Sequence, residues 1–181
     1  MKIQKTNIDG VILIHPSVYN DDRGYFFESF NHKKFTEITN IKTQFVQDNE
    51  SCSSKGVLRG LHFQNPPFDQ AKLVRVIKGS VMDVAVDIRT KSSTYGKYIM
   101  QELNDINHTM MYLPSGIAHG FLTLKNNTIF NYKCSNYYNK ESENSIIWND
   151  PDIGIQWPKS EVILSEKDLN AKKFSSFVSP F

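Results

Sequence analysis

Long apolar runs are missing from this 181-residue chain, which argues against membrane-spanning helices. Val11-Ile-Leu-Ile14 is too short to cross a bilayer, and Met1-Lys-Ile-Gln-Lys-Thr6 lacks the apolar core of a signal peptide. Charge of one sign is missing as well: 21 Lys and Arg oppose 19 Asp and Glu, a formal net charge of +2. No basic run is long enough to imply nucleic acid, so any anion chosen here is met locally by a few residues. Cysteine is scarce. Cys52 and Cys134 have no partners at metal-site spacing and read as reduced thiols, which predicts a cytoplasmic protein. Repeats, linkers and low-complexity segments are absent too, so one domain over residues 1–181 is expected.

Strand signals are plentiful. Hydrophobic residues make up 39% and aromatic residues 12% of the chain, and apolar stretches bounded by turn residues predict strands at Val11–His15, Tyr25–Phe30, Phe45–Ser51, Val57–Gln64, Lys72–Ile77, Val81–Ile88, Lys97–Leu103, Met110–Leu113, Gly120–Lys125 and Thr128–Cys134. Asp21-Asp-Arg-Gly24, Asn65-Pro-Pro67, Lys78-Gly-Ser80, Pro114-Ser-Gly116 and Lys125-Asn-Asn127 separate them. In Val81–Ile88, Met82, Val84, Val86 and Ile88 form an apolar face, with Asp83, Ala85 and Asp87 opposite. Helix is expected only at Asn31–Thr39 and in a short turn at Ser165–Asp168. Phe174, Phe177 and Phe181 predict a C-terminal tail that packs down. Many short strands with few helices point to an all-β sandwich or barrel.

Two stretches present histidines from such strands: Gly56-Val-Leu-Arg-Gly-Leu-His62-Phe-Gln64 and Pro114-Ser-Gly-Ile-Ala-His119-Gly-Phe121. Regular pairing puts Arg59 on the face opposite His62, while a bulge at Gly60 would turn both into one pocket. His119 is expected at a strand start, fixed by the preceding Pro and Gly. Lys72 alternates with Val74 and Val76, an inward face where an ammonium is costly and therefore functional, or a strand edge where it reaches solvent. Tyr132 alternates with Phe130 and Cys134 and reads first as core. Asp168 reads as a helix-capping carboxylate and Arg23 as a surface turn residue.

Together these residues carry more. Asp21-Asp-Arg-Gly-Tyr-Phe-Phe-Glu-Ser-Phe30, Phe45-Val-Gln-Asp-Asn49, Ser53-Ser-Lys-Gly-Val-Leu-Arg-Gly-Leu-His-Phe-Gln64, Lys72-Leu-Val-Arg-Val76, Met82-Asp-Val-Ala-Val-Asp-Ile-Arg89, Pro114–Phe121, Tyr132–Tyr138, Trp148-Asn-Asp-Pro151 and Leu164-Ser-Glu-Lys-Asp168 closely resemble the dTDP-4-dehydrorhamnose 3,5-epimerase family, in order and over nearly the whole chain. The resemblance implies a cupin-like double-stranded β-helix (jelly roll) with a few short helices, and a homodimer that exchanges N-terminal strands. It implies a nucleoside-diphosphate 4-keto sugar as substrate, no cofactor, and a place in bacterial cell-surface polysaccharide synthesis. It makes His62 the base, Asp168 the carboxylate that orients it and Tyr132 the acid on the opposite sugar face, with Lys72 near the C4 oxygen and His119 against the sugar. Arg23, Glu28, Gln47, Asn49, Arg59, Tyr138, Glu143 and Lys167 fall at nucleotide-diphosphate positions, and Phe26 and Tyr138 at base-stacking positions. Stacking aromatics accept thymine or guanine, and an extra carbon at C6 needs only room. dTDP- and GDP-linked sugars, hexoses and heptoses, and C3-only inversion therefore all suit these residues.

Two rival readings use the same barrel. A metal-dependent cupin would bind through His62 and His119, but such sites want three or four protein ligands. Gln64 stands where a second histidine is wanted, and Asp69 is the one carboxylate in the segment that would supply a glutamate ligand, so no metal is expected. A non-catalytic sugar-binding module would need the pocket but not His62, Asp168 and Tyr132 together.

Overall fold

Strands at the centres of the two large sheets are buried on both faces, because those sheets pack on each other and carry a helix or the C-terminal tail outside. The computed structural model describes residues 1–181. Its strands are β1 (Lys2–Lys5), β2 (Ile12–His15), β3 (Tyr19–Asp21), β4 (Gly24–Phe26), β5 (Gln47–Ser53), β6 (Leu58–Gln64), β7 (Lys72–Lys78), β8 (Ser80–Asp87), β9 (Tyr98–Asn104), β10 (Met110–Leu113), β11 (Ile117–Thr123), β12 (Thr128–Cys134) and β13 (Glu143–Ser145). Helices are few: α1 (His32–Thr39), α2 (Glu166–Leu169) and a 3-10 turn at Phe174–Ser176. A six-stranded sheet runs β1-β2-β10-β7-β12-β5, and a five-stranded sheet runs β13-β6-β11-β8-β9. All of their pairings are antiparallel, giving the cupin-like jelly roll.

The central core lies between the sheets and includes Leu13, Val74, Val76, Val81, Ala85, Leu103, Met111, Phe121 and Phe130. Outside the six-stranded sheet, α1 buries Phe35 against Ile12, Ile14, Leu73, Met110 and Tyr112. Outside the five-stranded sheet, Phe63, Val84, Val86, Ile88 and Ile146 are covered by Phe174, Phe177 and Phe181 of the tail. The polar-looking side of β8 is therefore its barrel face, with Asp83 and Ala85 fully buried. No helix is long and apolar enough to cross a membrane.

Several boundaries differ from the sequence reading. β1 (Lys-Ile-Gln-Lys) and β13 (Glu-Asn-Ser) are polar edge strands without apolar alternation, so backbone pairing alone reveals them. The segment expected as Tyr25–Phe30 forms only the short β3–β4 hairpin around Gly24, after which Phe30 turns inward onto Phe35 and Phe45. β11 begins at Ile117, not Gly120, so His119 is a mid-strand residue paired with His62 and Ala85.

The β8 end is tied down by Asp87, which is fully buried. Arg89 N and Nε donate to its Oδ1 at 3.0 and 2.8 Å, while Arg89 Nη2, Ser92 Oγ and Thr94 Oγ1 donate to Oδ2 at 2.8, 2.6 and 2.7 Å. Burial opposes the charge, but Arg89, Ser92 and Thr94 outweigh it and lower the pKa to about 2. A folded-state pKa below the unfolded value stabilises above the unfolded pKa, and that stabilisation is lost as pH falls through the folded one. Asp87→Asn is expected to lower stability by about 2 kcal/mol near neutrality. Urea unfolding from pH 7 to pH 2 should show the gap between variant and parent closing below about pH 4. A pH-independent gap would show that the charge of Asp87 contributes nothing.

Candidate active site

The two barrel sheets open onto a cavity of about 370 Å³ lined by Asn49, Glu50, Ser51, Arg59, His62, Lys72, His119, Phe121, Phe130 and Tyr132. These residues come from strands of both sheets. β5 supplies Asn49, Glu50 and Ser51, and β7 and β12 supply Lys72, Phe130 and Tyr132. β6 and β11 supply Arg59, His62, His119 and Phe121.

Arg59 and His62 share the cavity because the β6–β11 register slips between the pairs His119↔His62 and Phe121↔Arg59. Three steps on β6 match two on β11, a bulge that brings side chains from opposite parities to one face. Glycine permits it. Gly60 has φ +139°, and a Cβ there would strike the backbone of Gly120; one on Gly120 would lie 2.8 Å from the Arg59 carbonyl oxygen.

His62 Nε2 lies 2.5 Å from Asp168 Oδ1, across 106 residues of sequence. A carboxylate accepts, so Nε2 carries the hydrogen and the lone pair of the neutral ring is on Nδ1, which has no protein partner. Asp168 is 3% exposed. Burial works against its charge, but His62, then Ser165 and Lys167, hold its pKa below the ordinary carboxylate value. The second histidine has its own carboxylate: His119 Nε2 lies 3.0 Å from each oxygen of Asp83. Burial dominates at Asp83 and raises its pKa despite His119 and Lys72.

Lys72 has no carboxylate partner within ion-pair distance, and its Nζ lies 5.9 Å from the Tyr132 ring centroid. Burial lowers its pKa, against smaller upward pulls from Cys134, Glu143 and Asp83. Burial also raises the Tyr132 pKa, reinforced by Cys134 and countered by Asn49 and Arg59. Tyr132 therefore keeps its proton at neutral pH. Phe121 and Phe130 stack with centroids 4.2 Å apart and form the apolar part of the wall.

The remaining candidates divide in two. Gln47 donates to Asn49 at 3.0 Å and accepts from Tyr138 N at 2.9 Å; Tyr138 donates to Glu143 at 3.0 Å, and Glu143 pairs with Lys167 at 2.5 Å. This chain links Asn49 on the cavity wall to the residue beside Asp168. Arg23, Phe26 and Glu28 are not brought to the cavity. Arg23 pairs with Asp21 on the exposed β3–β4 turn, and Glu28 binds Lys34 and Asn31. Phe26 is 72% exposed and lines a separate hollow with Met1, Tyr19, Glu28 and Lys34.

The family model for dTDP-4-dehydrorhamnose 3,5-epimerase matches residues 5–176. The chain belongs to the dTDP-4-dehydrorhamnose 3,5-epimerase family. It is thus a carbohydrate epimerase, an isomerase. The dTDP-4-dehydrorhamnose 3,5-epimerase of Methanothermobacter thermautotrophicus is 52% identical over 171 residues, covering 93% of this chain and 91% of that protein. That of Shigella flexneri is 48% identical over 174 residues and covers 96% of each. Among solved structures, dTDP-6-deoxy-D-glucose-3,5-epimerase from Legionella pneumophila, in complex with dTDP-4-keto-L-rhamnose, has a TM-score of 0.95 at 47% identity, covering 98% of this chain and 94% of that one.

In this epimerase Gln64 lies outside the cavity. Its side chain donates to Phe68 O and Tyr137 O and accepts from Asn139 N, pinning two loops. Asp69 accepts from Ser115 Oγ. No group of three or more His, Cys, Asp or Glu side chains is arranged to hold a metal ion. Sequence reasoning missed Asp83, visible only as an acid inside an apolar strand, and Ser51 and Glu50, which carry no spacing signal. It also left Ser53 unremarked, whose hydroxyl accepts from Arg59 Nε and Nη2 at 3.3 Å.

Proposed function

We propose that this chain is a cofactor-independent 3,5-epimerase of a dTDP-linked 4-keto-6-deoxy sugar. One observation carries the reading: a histidine with one nitrogen held by a buried carboxylate shares a cavity with a protonated tyrosine and a lysine lacking a carboxylate partner. The C4 ketone acidifies the hydrogens on C3 and C5. His62 Nδ1 takes such a hydrogen as a proton, and the electron pair moves to the C4 oxygen as an enolate. Lys72 stabilises that oxyanion, and His119 lies against the sugar. Burial disfavours the Lys72 ammonium until an anion forms beside it, so the interaction strengthens as the enolate develops. Tyr132 then returns a proton to the same carbon from the opposite ring face, inverting it. His62 has gained one proton and Tyr132 lost one, and exchange with solvent resets both. The ketone is already present, so no redox step is needed.

The rim chain of Gln47, Asn49, Tyr138, Glu143 and Lys167, with Arg59, is the proposed nucleotide-diphosphate cradle. Arg23, Phe26 and Glu28 complete it from the partner of a homodimer with exchanged N-terminal strands. Their distance from the cavity in their own chain and the exposure of Tyr19, Tyr25 and Phe26 support this.

Incubation in D₂O with dTDP-4-keto-6-deoxyglucose tests the reading. Deuterium is expected at both C3 and C5, read by NMR. Label at C3 alone demotes the chain to a 3-epimerase, label only in a GDP-linked 4-keto heptose moves it to that substrate, and no exchange in either defeats the enzymatic reading.

A further inference from the structure

The two oxygens of Asp168 have different partners. Oδ1 holds His62, while Oδ2 accepts from Ser165 Oγ at 2.8 Å. The same hydroxyl oxygen accepts from Asp168 N at 3.2 Å, capping α2. A hydroxyl can do both at once, since it has one hydrogen and two lone pairs. Ser165 thus fixes the carboxylate at both ends of the side chain, through the backbone that carries it and through the oxygen that does not touch His62. The alternative anchors do less. Lys167, the adjacent cation on α2, is drawn away by Glu143 at 2.5 Å. Asp168 has no other hydrogen-bond donor, and it lies on a helix of only four residues with little rigidity of its own.

We propose that Ser165 is a positioning residue of the His62–Asp168 pair, setting both the aim of the carboxylate and the proton affinity of the pair through Oδ2. The inference rests on the reading of His62 as the base. A cap alone would stabilise α2 and leave proton affinity untouched; a donor to Oδ2 favours the ionised carboxylate, and its loss makes the pair hold a proton more tightly. The charged groups facing the pair are Lys167 on α2 and Glu143 on β13, and neither is altered by a change at residue 165.

The test compares Ser165→Ala, Ser165→Gly and Ser165→Thr with the parent. Glycine is a tolerable N-cap without a donor, so it keeps α2 where alanine weakens it. Threonine restores the hydroxyl. Loss of the donor is expected to lower kcat about tenfold with KM nearly unchanged, and to move the acid limb of kcat/KM upward by roughly half a pH unit. Threonine should recover most of both. The ¹⁵N titration of the His62–Asp168 pair, read on enzyme without substrate, should move in the same direction. An unmoved pair titration in both the alanine and glycine variants overturns the positioning role. A titration that moves while the kinetic limb stays fixed upholds it, and counts instead against His62 as the base.

Discussion

Replacing His62 by asparagine is expected to lower kcat by about 10³- to 10⁴-fold, with KM changed only a few-fold. The asparagine amide fills the near half of the ring's volume, and Asp168 keeps its hydrogen bond from Ser165, so the cavity keeps its shape. What disappears is a nitrogen lone pair of suitable basicity at the Nδ1 position. In the proposed reading the nucleotide diphosphate is bound by the rim chain of Gln47, Asn49, Tyr138, Glu143 and Lys167, which does not include His62. An effect on kcat without one on KM is the signature of an interaction made in the transition state. Solvent deuterium exchange at C3 and C5 should fall as steeply as epimerisation, since abstraction precedes everything else. The companion variant Asp168→Asn should be comparably impaired. With its oxygen kept on the Ser165 hydroxyl, its NH₂ donates to Nε2, and the resulting tautomer removes the lone pair from Nδ1. Wild-type exchange in His62→Asn would remove the base assignment, whatever happened at Asp168.

How much of this was legible in the sequence depends on how local each cause is. The inward placement of Lys72 follows from its alternation with Val74 and Val76, both of which lie in the central core. Tyr132 follows Phe130 inward by the same two-residue period, but at the cavity it lines a wall instead of filling the core. Strand period is a property of a few neighbouring residues, and sequence exposes it. The His62–Asp168 contact is different in kind. It depends on the tail returning over the five-stranded sheet, through the Ile146↔Lys172 bridge and the packing of Phe177 and Phe181 on Phe63. No short-range pattern encodes that return, so the residues alone gave only a capping carboxylate, and the pairing entered through family resemblance. Asp83 shows the reverse limit: its alternation was visible, but not that both faces of β8 are buried. Edge strands β1 and β13 lack apolar alternation and are defined by what they pair with.

Replacing Tyr132 by phenylalanine separates the two halves of the reaction. The ring stays. Its contact with Phe130 and the aromatic face toward Lys72 need no hydroxyl, so folding and binding are expected to change little. Abstraction by His62 does not need Tyr132 either. The enolate then forms, held at its oxygen by Lys72, and the proton donor left beside the carbon is the histidine that made it. Return from that side restores the original configuration. Deuterium should therefore still enter at the acidic carbon, while net inversion falls by about 10²- to 10³-fold. That excess of exchange over inversion is the diagnostic quantity, and NMR of the recovered sugar in D₂O measures both in one sample. Burial raises the Tyr132 pKa, so the wild-type enzyme should keep its acid in the protonated form well above neutrality. Unchanged inversion in the phenylalanine variant would exclude Tyr132 as the donor. Equal loss of exchange and inversion would assign it to enolate formation instead, since a donor acting only after abstraction cannot slow the step before it.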